Sequence, residues 1–172
     1  MTSIVGFPDP VNEVSARVVA SGVVVLCLAT IALDQPWLTA VIAYGFVARV
    51  VTGPTLSPLG QLATRVVTPR LGAEPRYVPG PPKRFAQAIG AVLSVTASVL
   101  ALGLGLPGAG YAVLGALAVA AGLEAALGLC LGCQIFAILM RVGLIPREAC
   151  ERCADLGWPG RGDTRRVTRT AG

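Results

Sequence analysis

The chain has 172 residues, of which 54% are hydrophobic and only 13% are charged, and its formal net charge is +5. A soluble domain typically carries about 25% charged residues, so this composition indicates an integral membrane protein. Histidine is absent, which excludes a Ser-His-Asp triad, a histidine general base and any metal site that needs an imidazole ligand.

Four apolar segments approach the ~20 residues that a helix needs to cross a bilayer. We predict spans over about 16–33, 36–52, 85–106 and 111–131. The leader before the first segment carries two acids, Asp9 and Glu13, and lacks the positive start of a signal peptide, so this segment is predicted to stay as a span. The predicted fold is all-α, a polytopic four-transmembrane-helix bundle over residues 1–140. A short cytoplasmic helix (141–157) and a disordered basic tail (158–172) are predicted to follow.

The basic residues predict the orientation of the spans. The loop after the first span holds Asp34 and no base, and the "PGAG" loop after the third span holds no charge. Lys and Arg concentrate in the loop 53–84 and from Arg141 onward. The positive-inside rule therefore places both termini in the cytoplasm. Because topology accounts for the positive charge, the bilayer is the predicted partner and nucleic acid is not.

Two ionisable residues lie inside the predicted spans. Glu124 lies in the fourth, and Arg49 lies near the inner end of the second. A charge in hydrocarbon costs about 2.5 kcal/mol or more, so such a residue usually has a partner. We predict an intramembrane ion pair between Glu124 and Arg49 that fixes helix register. A proton or ion site in a small channel or carrier is the alternative.

Small residues recur at every fourth position in the fourth span, for example Ala118, Gly122 and Ala126. This spacing allows helices to approach closely, either within the bundle or in a homo-oligomer. The pattern does not distinguish between these two arrangements.

Five cysteines are present, and Cys27 in the first span is predicted to be a small buried apolar residue. The other four form a C-x2-C…x16…C-x2-C pattern made of Cys130, Cys133, Cys150 and Cys153. This spacing is compatible with redox thiols or a sulfur relay, with a closed tetrahedral zinc site, and with packing alone. Both pairs fall on the predicted cytoplasmic side, where permanent disulfides are disfavoured.

The reactivity of the first pair depends on where the fourth span ends. If its helix continues through Cys130, the helix dipole raises the pKa of that thiol. If the helix breaks around 128–132 and restarts, Cys133 gains a helix N-terminus, which lowers its pKa. Cys150 and Cys153 are predicted to share one face of the following helix.

Four stretches carry a resemblance to a known family: "FPDPVNEVSARVVA", "GPTLSPLGQLA", "GPPKRFAQAIG" and "CLGCQIFAILMRVGLIPREACERCADL". Together they resemble a bacterial family of small four-helix membrane proteins that is catalogued as a domain of unknown function. The likeness extends from about Phe7 to Leu156, and its most specific feature is the C-x-G-C motif. The resemblance implies a bacterial plasma-membrane location. It also implies a link to thioredoxin-like proteins or sulfurtransferases, which are often encoded beside members.

These observations predict a membrane-anchored thiol–disulfide or sulfur relay that acts with a cytoplasmic thioredoxin-like or rhodanese-like protein. The alternative is a non-enzymatic membrane scaffold whose four cysteines hold a structural zinc ion. No other cofactor is predicted.

Overall fold

The computed structural model describes residues 9–72, 74 and 76–145. The helices are α1 (Glu13–Ala32), α2 (Leu38–Thr52), α3 (Pro58–Gln61), α4 (Thr68–Leu71), α5 (Gly80–Ser98), α6 (Pro107–Leu127) and α7 (Leu131–Arg141). Two π-helical segments extend these helices: Leu62–Val67 joins α3 to α4, and Val99–Gly103 continues α5. Cys150, Cys153, most of the predicted helix 141–157 and the predicted tail 158–172 lie outside the described residues.

Among the described residues, three helices are long and apolar enough to cross a membrane: Glu13–Ala32, Gly80–Gly103 and Pro107–Leu127. They fall on the first, third and fourth predicted spans. The second predicted span contains α2, whose 15 residues extend about 22 Å, short of a hydrocarbon core of ~30 Å. The all-α class is thus confirmed, with several helices of spanning length, and the four-span bundle stays a prediction.

Hydrogen bonds join the beginnings of α1 and α5. The Asn12 side chain accepts a hydrogen bond from the Val14 N–H at 3.0 Å and so caps α1. Asn12 also pairs with Tyr77 in a two-stranded antiparallel ladder between β1 (Val11–Asn12) and β2 (Tyr77–Val78). The Asp9 carboxylate accepts from the Gly80 N–H, the first residue of α5. This small ladder, which the all-α prediction lacks, holds the starts of both helices at one end of the molecule.

The core lies where α1 packs along α6 and α2 packs along α5. Glycines permit the closest approach, and a Cβ atom added at Gly90 would lie 2.2 Å from the ring of Phe46. Cys27 is 0% exposed and belongs to the same apolar cluster as Leu114. The prediction of Cys27 as a buried apolar residue is confirmed.

The segment between α2 and α5 packs against the helices. The Ser57 hydroxyl accepts a hydrogen bond from the Gly60 N–H and caps α3. Leu59 lies against α1 at Gly22, where an added Cβ atom would come within 2.6 Å of the leucine side chain. Farther along, the hydroxyls of Ser15 and Thr68 are 3.0 Å apart. The connection is therefore part of the packed structure.

Candidate functional site

The chain reverses between α6 and α7 at Gly128. This residue adopts a left-handed conformation (φ 70°), which a glycine reaches without steric cost. Its N–H donates to the carbonyl of Glu124 at 3.0 Å, and the Leu129 N–H donates to the carbonyl of Leu123 at 3.2 Å. The first of these bonds closes α6 as in the αL motif, in which the left-handed residue after the helix donates to the carbonyl four positions earlier. Of the two predicted alternatives for the fourth span, the structure contains the broken helix.

Cys130 and Cys133 lie at the start of the new helix. Cys130 has an extended backbone and precedes the first residue of α7, and Cys133 lies within its first turn. The two thiols are unbridged, with the Cys133 sulfur donating to the Cys130 sulfur at a distance of 2.7 Å. Cys130 is buried and Cys133 is half-buried. The first predicted cysteine pair is therefore in direct contact.

The packing of α7 on α5 fixes the position of this pair. A Cβ atom added at Gly132 would lie 2.5 Å from the Cβ and 2.6 Å from the Cα of Ala86. Farther along α7, the ring of Phe136 lies against the ring of Phe85, with centroids 5.6 Å apart. The turn that carries the thiols is thus held directly on the beginning of α5.

A buried ion pair occupies the same end of α5. The Lys83 ammonium lies 2.5 Å from the Glu124 carboxylate, and the two side chains are only 9% and 16% exposed. Lys83 is one helical turn from Ala86, which contacts the thiol turn. Glu124 also supplies the carbonyl that closes α6 at Gly128. The ion pair therefore connects α5, the end of α6 and the surroundings of the thiols.

Arg49 has different partners from those predicted. Its Nε donates to the Gln87 side chain at 3.1 Å, and its guanidinium lies 4.4 Å from the centre of the Phe46 ring. Arg49 is 5% exposed, and its Nη1 has no hydrogen-bond partner among the described residues. The predicted Glu124–Arg49 pair is thus corrected to Glu124–Lys83. The channel or carrier interpretation of Glu124 and Arg49 stays a prediction.

Lys83 is not among the predicted site residues because the third span is predicted to begin at residue 85, which leaves Lys83 in the preceding loop. Two prolines at the first turn of α5, Pro81 and Pro82, start that helix at Gly80 instead. Proline is favoured in the first turn of a helix because its fixed φ suits that position. This signal was available in the sequence and would have placed Lys83 on the helix.

Arg17 is a second residue with a structural role that the sequence pattern does not predict. Its guanidinium donates to the carbonyl of Ala125 at 3.0 and 3.1 Å and to the carbonyl of Ala126 at 2.9 Å. The last carbonyls of a helix have no partner within the helix and carry partial negative charge. Arg17 therefore stabilises the end of α6 immediately before the turn that leads to the thiols.

The two thiols differ in proton affinity. Donation of a hydrogen bond from Cys133 lowers the pKa of the Cys130 thiol, while burial and the Glu124 carboxylate raise it and the Lys83 ammonium lowers it. The same hydrogen bond raises the pKa of Cys133, and burial adds to that increase. The start of α7 also favours negative charge. The arrangement thus favours a Cys130 thiolate that accepts a hydrogen bond from the Cys133 thiol.

The second predicted cysteine pair, Cys150 and Cys153, lies outside the described residues, and so does any contact between it and the first pair. Within residues 9–72, 74 and 76–145, no group of three or more Cys, His, Asp or Glu side chains could hold a metal ion. A four-cysteine zinc site would need Cys150 and Cys153 as its remaining ligands.

Comparison with known proteins identifies a family. No curated protein and no solved structure matches the chain. One family model, described as "Domain of unknown function (DUF4395)", matches residues 11–141. The matched region begins at β1 and ends with the last residue of α7, so it contains both thiols and the Lys83–Glu124 pair. The chain therefore belongs to the DUF4395 family.

Proposed function

We propose that the chain is a membrane-anchored dithiol that exchanges electrons or sulfane sulfur with a cytoplasmic thioredoxin-like or rhodanese-like protein. The observation that carries this proposal is the 2.7 Å contact between the sulfurs of Cys130 and Cys133. Zinc bonds of ~2.3 Å in a tetrahedral site hold two ligand sulfurs about 3.8 Å apart. The observed sulfurs are already in contact, so only a small movement is needed to form a disulfide bond of ~2.05 Å, which supports thiol exchange.

The surroundings of the pair support a reactive thiol. A thiolate is the nucleophile in disulfide exchange, and nearby cations and helix N-termini favour it. The Lys83 ammonium and the first turn of α7 both act in this direction. The pair also follows the end of α6 at Leu127, beyond the last residue of a spanning-length helix. A water-soluble partner would reach thiols more readily there than within a span.

The proposed reaction is a dithiol–disulfide exchange. The thiolate of the pair attacks one sulfur of the partner's disulfide, which forms a mixed disulfide and releases one partner thiolate. The second thiol of the pair gives its proton to water and attacks the pair's sulfur in the mixed disulfide. A Cys130–Cys133 disulfide forms and the second partner thiolate leaves, so two electrons pass from the pair to the partner. Cys150 and Cys153 would reduce this disulfide by the same exchange and become a disulfide themselves, and a second cytoplasmic dithiol protein would return them to thiols while it is oxidised.

We also infer a bacterial plasma-membrane location with both termini in the cytoplasm. Arg17 and Lys83 lie at the same end of the helices as the thiols, through their contacts with the last turns of α6. The connections at the other end, 33–37 and 104–106, contain no Lys or Arg. The positive-inside rule then assigns the thiol end to the cytoplasm.

The test uses purified full-length protein equilibrated in mixtures of reduced and oxidised glutathione. Free thiols are alkylated and counted by mass spectrometry of the peptide that contains Cys130 and Cys133. We expect the pair to lose two alkylation sites together, whereas Cys130→Ser and Cys133→Ser each abolish the disulfide. A Cys27→Ala variant is the matched control, since Cys27 is fully buried in α1 and its removal should leave the exchange unchanged.

Two results would overturn the proposal. One is a pair that stays reduced in every glutathione mixture, together with full activity of the Cys130→Ser/Cys133→Ser double variant in a thiol-stress or sulfur-transfer assay. The other is about one zinc per chain that is lost on replacement of any one of the four cysteines, which would establish the zinc scaffold instead.

A further inference from the structure

Helix α7 carries a continuous exposed apolar stripe. Its members recur every three or four residues: Leu131 (42% exposed), Ile135 (44%), Ile138 (58%) and Val142 (67%). At 3.6 residues per turn they fall within an arc of about 60°. Large apolar side chains aligned in this way mark a surface that contacts something other than water.

The rest of α7 is divided between protein and polar surface. Gly132 and Phe136, on one side of the stripe, contact α5. On the other side, about 80° from the centre of the stripe, lie the exposed residues Gln134 and Arg141. The helix thus has a protein-facing side, an apolar exposed side and a polar exposed side. A helix surrounded by hydrocarbon would have no reason to carry a polar exposed side, and a helix surrounded by water would have no reason to carry an apolar exposed side.

The position of α7 agrees with a helix that lies along the bilayer surface. Gly132 and Phe136 are four residues apart, about 6 Å along α7, yet they contact neighbouring residues of α5, Ala86 and Phe85. Such contacts indicate that α7 crosses α5 near the beginning of that helix. The 11 residues of α7 extend about 16 Å, too short to cross the hydrocarbon core.

The residues that lead from a spanning-length helix into the stripe are also apolar and exposed. Leu127, the last residue of α6, is 64% exposed, and Leu129 in the turn is 43% exposed. They lead directly into Leu131, the first member of the stripe. This continuity favours lipid as the occupant over a separate protein partner.

We propose that α7 is an interfacial helix whose Leu131, Ile135, Ile138 and Val142 stripe inserts at the boundary between lipid headgroups and acyl chains. Gln134 and Arg141 face the aqueous side. An amphipathic helix with one apolar face and one polar face adopts this position in a bilayer. Because the thiols occupy the first turn of the same helix, a partner must meet them at the membrane surface. This inference does not depend on the thiols being redox-active.

The test measures the surroundings of two positions on opposite sides of the boundary. Ile138→Trp and Gln134→Trp are made in full-length protein that also carries Trp37→Phe and Trp158→Phe, so that each variant has one indole. The proteins are reconstituted into phosphatidylcholine–phosphatidylglycerol vesicles. Quenchers are iodide in the water on both sides, and lipids brominated at shallow or at deep positions of the acyl chain.

We expect the Ile138→Trp indole to lose fluorescence with the shallow brominated lipid and little with iodide. The Gln134→Trp indole should show the reverse. Strong iodide quenching of both variants would place the stripe in water, and strong quenching of both by the deep brominated lipid would place α7 within the core. Protection of Ile138→Trp from every quencher would show that protein, including a second copy of the chain, covers the stripe. Each of these three results overturns the proposal.

Discussion

Removal of one partner from the Lys83–Glu124 pair should destabilise the protein strongly. The two groups are 2.5 Å apart and are 9% and 16% exposed, so solvent can replace little of the lost interaction. Loss of one partner from a buried pair leaves an uncompensated charge and costs about 3–5 kcal/mol. We therefore expect Lys83→Met to lower the free energy of unfolding by about that amount. Replacement of both groups by neutral side chains should cost much less, because no charge is left alone.

The assay is thermal or denaturant unfolding of the purified protein in detergent, followed by loss of helical circular dichroism. Lys83→Met, Glu124→Gln and the double variant form a double-mutant cycle that isolates the coupling between the two groups. Arg84→Met is the matched control, since Arg84 is the neighbouring residue on α5 but is exposed. It should change stability by less than about 0.5 kcal/mol. Equal effects of Lys83→Met and Arg84→Met, or strictly additive effects in the double variant, would refute the reasoning.

Three further predictions concern the thiol turn. Gly132→Ala should destabilise the protein by about 1–3 kcal/mol, because the new methyl group meets the backbone of Ala86. Gly115→Ala is the control, since its methyl group would meet nothing within 4 Å and should not destabilise the protein. Equal unfolding temperatures for the two variants would contradict the close packing at Gly132. Cys133→Ala removes the hydrogen bond that lowers the pKa of Cys130, so the pH at which Cys130 alkylation becomes fast should be higher than in the wild type. An unchanged pH profile of the alkylation rate would show that the hydrogen bond does not set this pKa. Arg17→Gln should cost about 1–2 kcal/mol and increase amide hydrogen exchange at the end of α6, and unchanged exchange would contradict a capping role.

The structural features that the sequence predicts correctly depend on patterns within short segments of the chain. Long apolar runs predicted the location of α1, α5 and α6, and the isolated Cys27 in one such run predicted a buried apolar residue. Glu124 was recognised as a buried acid that needs a partner because it interrupts an apolar run. The small spacing between Cys130 and Cys133 predicted a pair, and glycines near it allowed for the break that the structure contains.

The features that sequence reasoning missed depend on contacts between distant parts of the chain. Lys83 and Glu124 are separated by 41 positions. Hydropathy alone places Lys83 in a predicted loop, outside the third span. Arg49, the base predicted for Glu124, contacts Gln87 across the α2–α5 interface, and no local pattern encodes that choice. The β1–β2 ladder has only two residues on each strand, too few for an alternating pattern to be recognised.

The contact at Gly132 separates two requirements within the C-x-G-C motif. The cysteines meet the chemical requirement, because one helical turn brings their sulfurs together. The glycine meets a steric one, because the backbone of α5 at Ala86 leaves no space for a side chain. A search for proteins that carry C-x-G-C before an apolar helix therefore selects for a second helix packed across the motif as well as for a thiol pair. Chains with C-x-x-C and a larger third residue should lack this crossing, even where their sulfur chemistry is the same.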